Sequence, residues 1–252
     1  MIALFPPSAD DQFELAEAVA AEQRPAAPGR PWIMTNMIAS ADGATAISGL
    51  SGPLGGPADK AMFSALRGVA DAIIVGASTV RQERYRPPLA RHERGTPSGA
   101  TPEHTERPLI AVVTAGLSLD PSLPLFSDPS YRPLVITVAS APSERKAALA
   151  EVADIEIAGD ELVDLSTAIR VLADRGANIV LSEGGPSLNG QFIADGLIDE
   201  WNLTLAPLVA GGTSKRPAVG ADVIPAGTDM ELKRVWHQDD LLFCRWIRSR
   251  PV

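Results

Sequence analysis

Short apolar runs that stop at glycine or at a polar turn constrain this chain more than any other feature. Ala72-Ile73-Ile74-Val75 ends at Gly76, and comparable runs stand at Leu109 to Thr114, Leu134 to Val138 and Ile179 to Leu181. A strand that is apolar at every position has to be covered on both faces, which is the situation of a parallel strand inside a layered α/β sheet. Between these runs the spacing turns helical: Met62, Phe63, Leu66 and Val69 recur over 59–69, after Pro57 and Asp59, and a second helical stretch covers 163–175. Strands alternating with helices predict a mostly parallel sheet with helices on both faces. Trp32 to Ala39 reads as an earlier buried strand that closes in the turn Ser40-Ala41-Asp42-Gly43. The last quarter changes texture. Trp201, Leu203 and Leu205 alternate with Asn202 and Thr204, and Leu241 to Ile247 follows a polar Gln238-Asp239-Asp240 hairpin signal, so antiparallel strands are expected to close one edge.

Two domains are assigned from texture. Residues 1–30 carry an acidic, Ala-rich helical stretch from Asp10 to Glu22 and then a Pro-rich run to Pro31, and read as an N-terminal extension and linker. Residues 31–252 form the folded body. The segment Arg86 to Arg107, rich in Pro, Gly and charge, reads as a mobile surface loop. With 22 basic against 31 acidic residues, a net charge of −9 supplies no basic footprint for nucleic acid or anionic lipid. One cysteine, Cys244, excludes an internal disulfide framework and any Cys-rich metal centre, and no metal site is expected. The N-terminus lacks the basic head and apolar middle of a signal peptide, and no 18-residue apolar run exists, so a soluble cytoplasmic protein is expected.

Two turns carry the chemistry. Val75-Gly76-Ala77-Ser78-Thr79-Val80-Arg81 runs from a buried strand through Gly and small residues into a helix, whose first N–H groups suit a phosphate. Ile179-Val180-Leu181-Ser182-Glu183-Gly184-Gly185-Pro186-Ser187 repeats the arrangement, with Pro at the first helical position. Each alone is equally well a tight packing turn. Together, at the carboxyl ends of strands in one sheet, they favour a dinucleotide site. There is no G-x-G-x-x-G, no P-loop and no Tyr-x-x-x-Lys, because Leu89 and Val135 stand four residues after Tyr85 and Tyr131. Asn189 occupies the second Gly position of a nucleophile elbow, and His104-Thr105-Glu106 lacks the P-C-x-x-C partner of a zinc deaminase. Asp42 and Glu183 remain as carboxylates for the same sheet edge, with ordinary turn chemistry as the alternative for each. Arg67, Arg81, Arg84 and Arg86 are candidates for a substrate phosphate, or simply solvated charges.

Taken in order, these segments resemble the reductase domain of RibD, which shares the dihydrofolate reductase fold. The resemblance rests on Met37-Ile38-Ala39-Ser40-Ala41-Asp42-Gly43, Gly56-Pro57-Ala58-Asp59 with Leu66-Arg67, Ala70 to Arg81, Ser182 to Leu188, Gly196-Leu197-Ile198-Asp199-Glu200, Leu205-Ala206-Pro207 and Gly211-Gly212, within about residues 32 to 248. It implies an NADPH-dependent reductase that converts the ribosylamino side chain of a phosphorylated diaminopyrimidine to ribitylamino, and a homodimer. It places Gly76, Ser78, Thr79, Val80, Thr114, Ser182, Gly184, Gly185, Pro186 and Ser187 at the cofactor, with Thr114 to Ser118 on its adenosine side. Asp42 and Glu183 fall to catalysis, and Met37, Asp42, Arg67 and Arg84 to the substrate. The chain lacks the deaminase domain of RibD. It reads Gln82-Glu83-Arg84-Tyr85-Arg86-Pro87-Pro88 where the riboflavin enzymes carry an acidic pair, Pro and Leu-Thr-x-Arg. A dihydrofolate or pterin reductase, and a non-catalytic NADPH-binding protein, are the alternatives on the same scaffold.

Overall fold

The structure, a computed structural model, describes residues 1–6, 13–89, 107–220 and 227–249. His104 to Glu106 and most of the Arg86–Arg107 loop lie outside these residues. Among the described residues ten strands and six α-helices follow one another as β1 (Ile2–Phe5), α1 (Leu15–Ala21), β2 (Trp32–Ser40), α2 (Pro57–Val69), β3 (Ala72–Gly76), α3 (Ala77–Gln82), β4 (Leu109–Val113), β5 (Leu134–Thr137), α4 (Ser143–Ala150), β6 (Asp154–Ile157), α5 (Leu165–Asp174), β7 (Ile179–Ser182), α6 (Pro186–Ala194), β8 (Glu200–Ala206), β9 (Met230–Gln238) and β10 (Leu241–Arg248). All ten strands join one sheet in the order β1-β9-β10-β8-β2-β7-β3-β4-β5-β6. From β8 to β6 the pairings are parallel, and from β8 outward to β1 they are antiparallel.

The alternation of side chains along each inner strand divides the core in two. Ile73 and Val75 of β3 join Met62, Leu66 and Val69 of α2 on one face, whereas Ala72 and Ile74 join Leu165, Ile169 and Leu172 of α5 and Phe192 of α6 on the other. Each fully buried Leu, Ile or Phe contributes about 1.5–3 kcal/mol. The uninterrupted apolar runs are therefore the mark of a sheet covered twice. The hairpin after β9 is equally local in origin. Asp239 and Asp240 both take positive φ, at 53° and 62°, and Gln238 pairs with Leu241 across a two-residue turn.

Residues 1–30 were expected to be an extension on a linker; the described parts of that stretch, 1–6 and 13–30, are found packed into the body. β1 adds to the sheet beside β9, Val19 of α1 is fully buried in the core, and Arg24 and Arg30 reach across to Glu200 and Asp199. The partners lie 176 and 169 residues away, so nothing local in this Pro-rich stretch betrays them.

Candidate functional site

Strand order places the site. β7 inserts between β2 and β3, and the helices that follow β3 and β7 leave to opposite faces of the sheet, α3 into the α2 core and α6 into the α5 core. Carboxyl ends of neighbouring strands whose connections diverge leave a crevice between them. Here that crevice is a cleft of about 1900 Å³. This exceeds the roughly 300–1,000 Å³ of a pocket for one small ligand, which leaves room for more than one.

At the floor of the cleft the two glycine turns touch. The Gly76 N–H donates to the Gly184 carbonyl at 2.7 Å, and the Glu183 N–H donates to the Ile74 carbonyl at 3.1 Å. Gly184 holds φ +76°, a conformation that suits only glycine well, and its peptide to Gly185 is cis. A Cβ on Gly185 would stand 2.9 Å from the Thr79 hydroxyl, which lines the cleft. Glycine thus lets the two strand-to-helix turns pack against each other while Gly76 and Gly185 still line the cleft. At the start of α6, Pro186 carries no N–H and the Leu188 and Asn189 N–H groups donate to the Gly185 carbonyl at 3.0 and 3.1 Å, so the Ser187 N–H is the first-turn donor left for a ligand.

The wall above is built by α2. Asp59, Phe63 and Arg67 recur every four residues, so they share one helical stripe, and all three line the cleft. Arg67 donates from Nε and Nη2 to the two oxygens of Glu183, at 2.6 and 2.7 Å, and the Tyr85 hydroxyl donates to the same carboxylate. The guanidinium lies 4.2 Å from the Phe63 ring centroid and 5.3 Å from that of Tyr85. Burial alone would lower the Arg67 pKa, yet the Glu183 charge and hydrogen bonds push it above its ordinary value. Burial raises the Tyr85 phenol far above its usual range, and the Glu183 charge adds to this. Asp59 differs from Glu183. Burial raises its pKa, opposed by a hydrogen bond from Thr204, and no arginine pairs with it among the described residues.

The expected site residues divide between the cleft and its supports. Met37, Arg67, Gly76, Ser78, Thr79, Arg84, Thr114, Glu183, Gly185, Pro186 and Ser187 line the cleft. Val80 is buried in the core, Ser182 hydrogen-bonds Asn189 at 2.9 Å behind the wall, and Gly184 backs onto Met37 and Asn189. Asp42 lies outside the cleft lining. Its carboxylate accepts from the Ser40 hydroxyl and from the N–H groups of Ala210, at 3.1 Å, and Gly211, at 2.7 Å. Those bonds hold it at about 2, led by the Ser40 hydroxyl. Asp59, Phe63 and Tyr85 escaped the sequence reading as site residues. The four-residue spacing on an amphipathic helix was the available signal for the first two, and Tyr85 carried none.

A sequence profile of the RibD C-terminal domain matches residues 31–242. The chain belongs to the RibD C-terminal domain family. It is 32% identical over 209 residues to the 2,5-diamino-6-ribosylamino-4(3H)-pyrimidinone 5′-phosphate reductase of Methanothermobacter thermautotrophicus, a match covering 81% of this chain and 92% of that one. Among solved structures, a pyrimidine reductase-like protein from Corynebacterium diphtheriae superposes with a TM-score of 0.79 at 30% identity, covering 88% of this chain and 93% of the other. Dihydrofolate reductase from Enterococcus faecalis shares the fold at 12% identity and a TM-score of 0.51, covering 90% and 100%. The RibD C-terminal domain here therefore has the expected dihydrofolate-reductase-like architecture. No helix among the described residues is long and apolar enough to cross a membrane.

Proposed function

We propose that this chain is an NADPH-dependent reductase of 2,5-diamino-6-ribosylamino-4(3H)-pyrimidinone 5′-phosphate, or of the closely similar aminouracil. The observation that carries the reading is the meeting of the two glycine turns beneath the Arg67–Glu183 pair in a cleft large enough for two ligands. The residues fit a nicotinamide dinucleotide: side-chain-free backbone at Gly76 and Gly185, the Thr79 and Ser187 hydroxyls, and the α6 N-terminus for the pyrophosphate. Arg81, fixed to the Ser118 carbonyl at 2.6 Å beside Thr114, would supply a cation for the 2′-phosphate that distinguishes NADPH from NADH. When bound, the cofactor supplies the hydride for C1 of the open-chain sugar imine.

The protein then orients the sugar, excludes water and delivers one proton. Glu183 is engaged on both oxygens by Arg67 and Tyr85, which makes it a fixed acceptor for substrate N–H or hydroxyl groups. Asp59, raised by burial, is better placed to hold a proton within the cleft and release it to the imine nitrogen. On the resemblance alone, the protein is taken as a cytoplasmic homodimer.

The test is loss of reduced-nicotinamide absorbance with the pyrimidine phosphate as substrate, run beside dihydrofolate and with NADH replacing NADPH. Turnover of the pyrimidine phosphate with preference for NADPH is expected. Binding of NADPH with no turnover of that substrate sinks the proposal, and turnover of dihydrofolate alone moves the activity to pterins.

A further inference from the structure

Asn189 has no part in the cleft described above. It stands where a nucleophile elbow would need its second glycine, it is fully buried in α6, and it does not line the cleft. A buried carboxamide is costly unless its oxygen and nitrogen are both engaged. Here both are. Its Oδ1 accepts from the Ser182 hydroxyl at 2.9 Å, and its Nδ2 donates to the Pro217 carbonyl at 3.0 Å. A carbonyl can only accept, which decides the end of the carboxamide that faces Pro217. Ser182 Oγ in turn accepts from the Gly184 N–H at 3.4 Å, and a Cβ on Gly184 would stand 3.4 Å from Asn189 Nδ2. A hydrogen-bonded path therefore runs from the connection between β8 and β9, through Asn189 and Ser182, to the Gly184 peptide.

The outer end of this path is anchored. The Val219 N–H donates to the Pro186 carbonyl at 3.0 Å. A Cβ on Gly190 would stand 2.2 Å from the Val219 carbonyl oxygen, so residues 217–219 cross α6 at a distance that glycine alone permits. The inner end is the part of the turn the cleft uses. The Gly184 carbonyl accepts from Gly76, and its neighbours Glu183 and Gly185 both line the cleft. Ser182 and Asn189 are outside the lining, yet they hold the peptide on which the two glycine turns lean. Displacing a ligand-facing group by about 1 Å can cost on the order of 100-fold in rate, so such a support bears directly on binding and turnover.

We propose that Asn189 is a positioning residue for the dinucleotide: through Ser182 it fixes the Gly184-Gly185 turn, and residues 217–219 hold Asn189 in place. What the turn binds rests on the reductase reading given above. How the turn is held does not.

The experiment measures NADPH dissociation constants by energy transfer from tryptophan to the reduced nicotinamide, and backbone amide exchange at 183–190 without ligand. The variants are Ser182→Ala, Ser182→Thr, Asn189→Ala, the Ser182→Ala/Asn189→Ala double variant and Leu149→Ala, a change at a buried residue of α4 that controls for general destabilisation. Ser182→Ala and Asn189→Ala should each weaken NADPH binding about ten-fold and quicken exchange at 183–190 more than in α5. The double variant should add little, because both changes break one path. Ser182→Thr keeps the hydroxyl and should bind NADPH as wild type does. Leu149→Ala should lower the unfolding midpoint with NADPH affinity unmoved. If Asn189→Ala does not fold, Ser182→Ala against Ser182→Thr carries the comparison. Unchanged NADPH affinity in the alanine variants overturns the inference and leaves the reductase reading standing, and equal weakening by Leu149→Ala overturns it as a loss of stability alone. If wild type binds no NADPH, the reductase reading fails and exchange decides how the turn is held: faster exchange confined to 183–190 supports the path, and exchange equal to wild type overturns it.

Discussion

Glu183 and Glu200 are both gripped by arginine, and they serve different ends. Glu183 sits at the cleft with Arg67, whose side chain keeps 17% exposure. Glu200, at the start of β8, is sealed at 0% and accepts from Arg24 Nε and Nη2, both at 3.1 Å, Arg245 at 2.9 Å, the Trp32 indole at 3.0 Å and Asn202 at 2.9 Å. Glu22 joins this cluster through Arg24 and Arg234, at 2.6 and 2.8 Å, and Arg234 lies 4.0 Å from the Trp236 ring. Three arginines against two glutamates leave one excess positive charge under α1, and burial lowers the Arg234 pKa to about 10. The comparison separates chemistry from context. The same residue pair locks the N-terminal segment onto the antiparallel strands where both partners are sealed, and orients a ligand-facing wall where the arginine keeps partial exposure.

The comparison breaks most visibly at Glu200. Glu200→Ala strands buried arginine charge, and a loss of about 3–5 kcal/mol is expected by denaturant unfolding; a loss under 1 kcal/mol would mean that water enters the cluster. Glu183→Gln is the contrasting change. It should cost less stability than Glu200→Ala, because Gln keeps an acceptor for Arg67 and the guanidinium retains 17% exposure, and it should lower kcat/KM by about 100-fold, because the acceptor geometry of the cleft wall loosens; parallel unfolding and kinetic measurements on both variants decide the contrast.

A pH series sharpens the difference. Burial alone would raise the Glu200 pKa, but the Arg24 charge and the Arg245 hydrogen bond outweigh it and hold the carboxyl at about 2 against an ordinary 4.5. A depressed folded pKa contributes stability above the ordinary value and loses it as pH falls. Stability should therefore decline between about pH 4.5 and 2, and Glu200→Gln should flatten that decline. The smallest effect is expected of Tyr85→Phe. It removes one hydrogen bond to Glu183, worth about 1 kcal/mol or less, and should show as a few-fold change in activity with little change in unfolding midpoint.

Legibility in the sequence followed the range of the interactions. The runs at Ala72–Val75 and Ile179–Leu181, the helix ending at Val69 and the Pro186 helix start were all readable, because period and capping act within a turn or a strand. Asp42 was expected in the cleft because its turn follows a strand at the right sheet edge. Its donors at Ala210 and Gly211, 168 and 169 residues away, draw it to another loop. β1 and β6 went unseen, being four-residue edge strands with too little pattern to register.

By itself, then, the sequence determined a twice-covered parallel sheet with two glycine-bearing strand ends, since steric freedom at glycine and the alternation of buried side chains are local properties. Only the tertiary structure decided which charges meet. Arg67 with Glu183, Arg24 with Glu200 and Asp42 with the 208–215 loop are contacts that the strand order β8-β2-β7-β3 creates, and their strength depends on burial that no single segment carries.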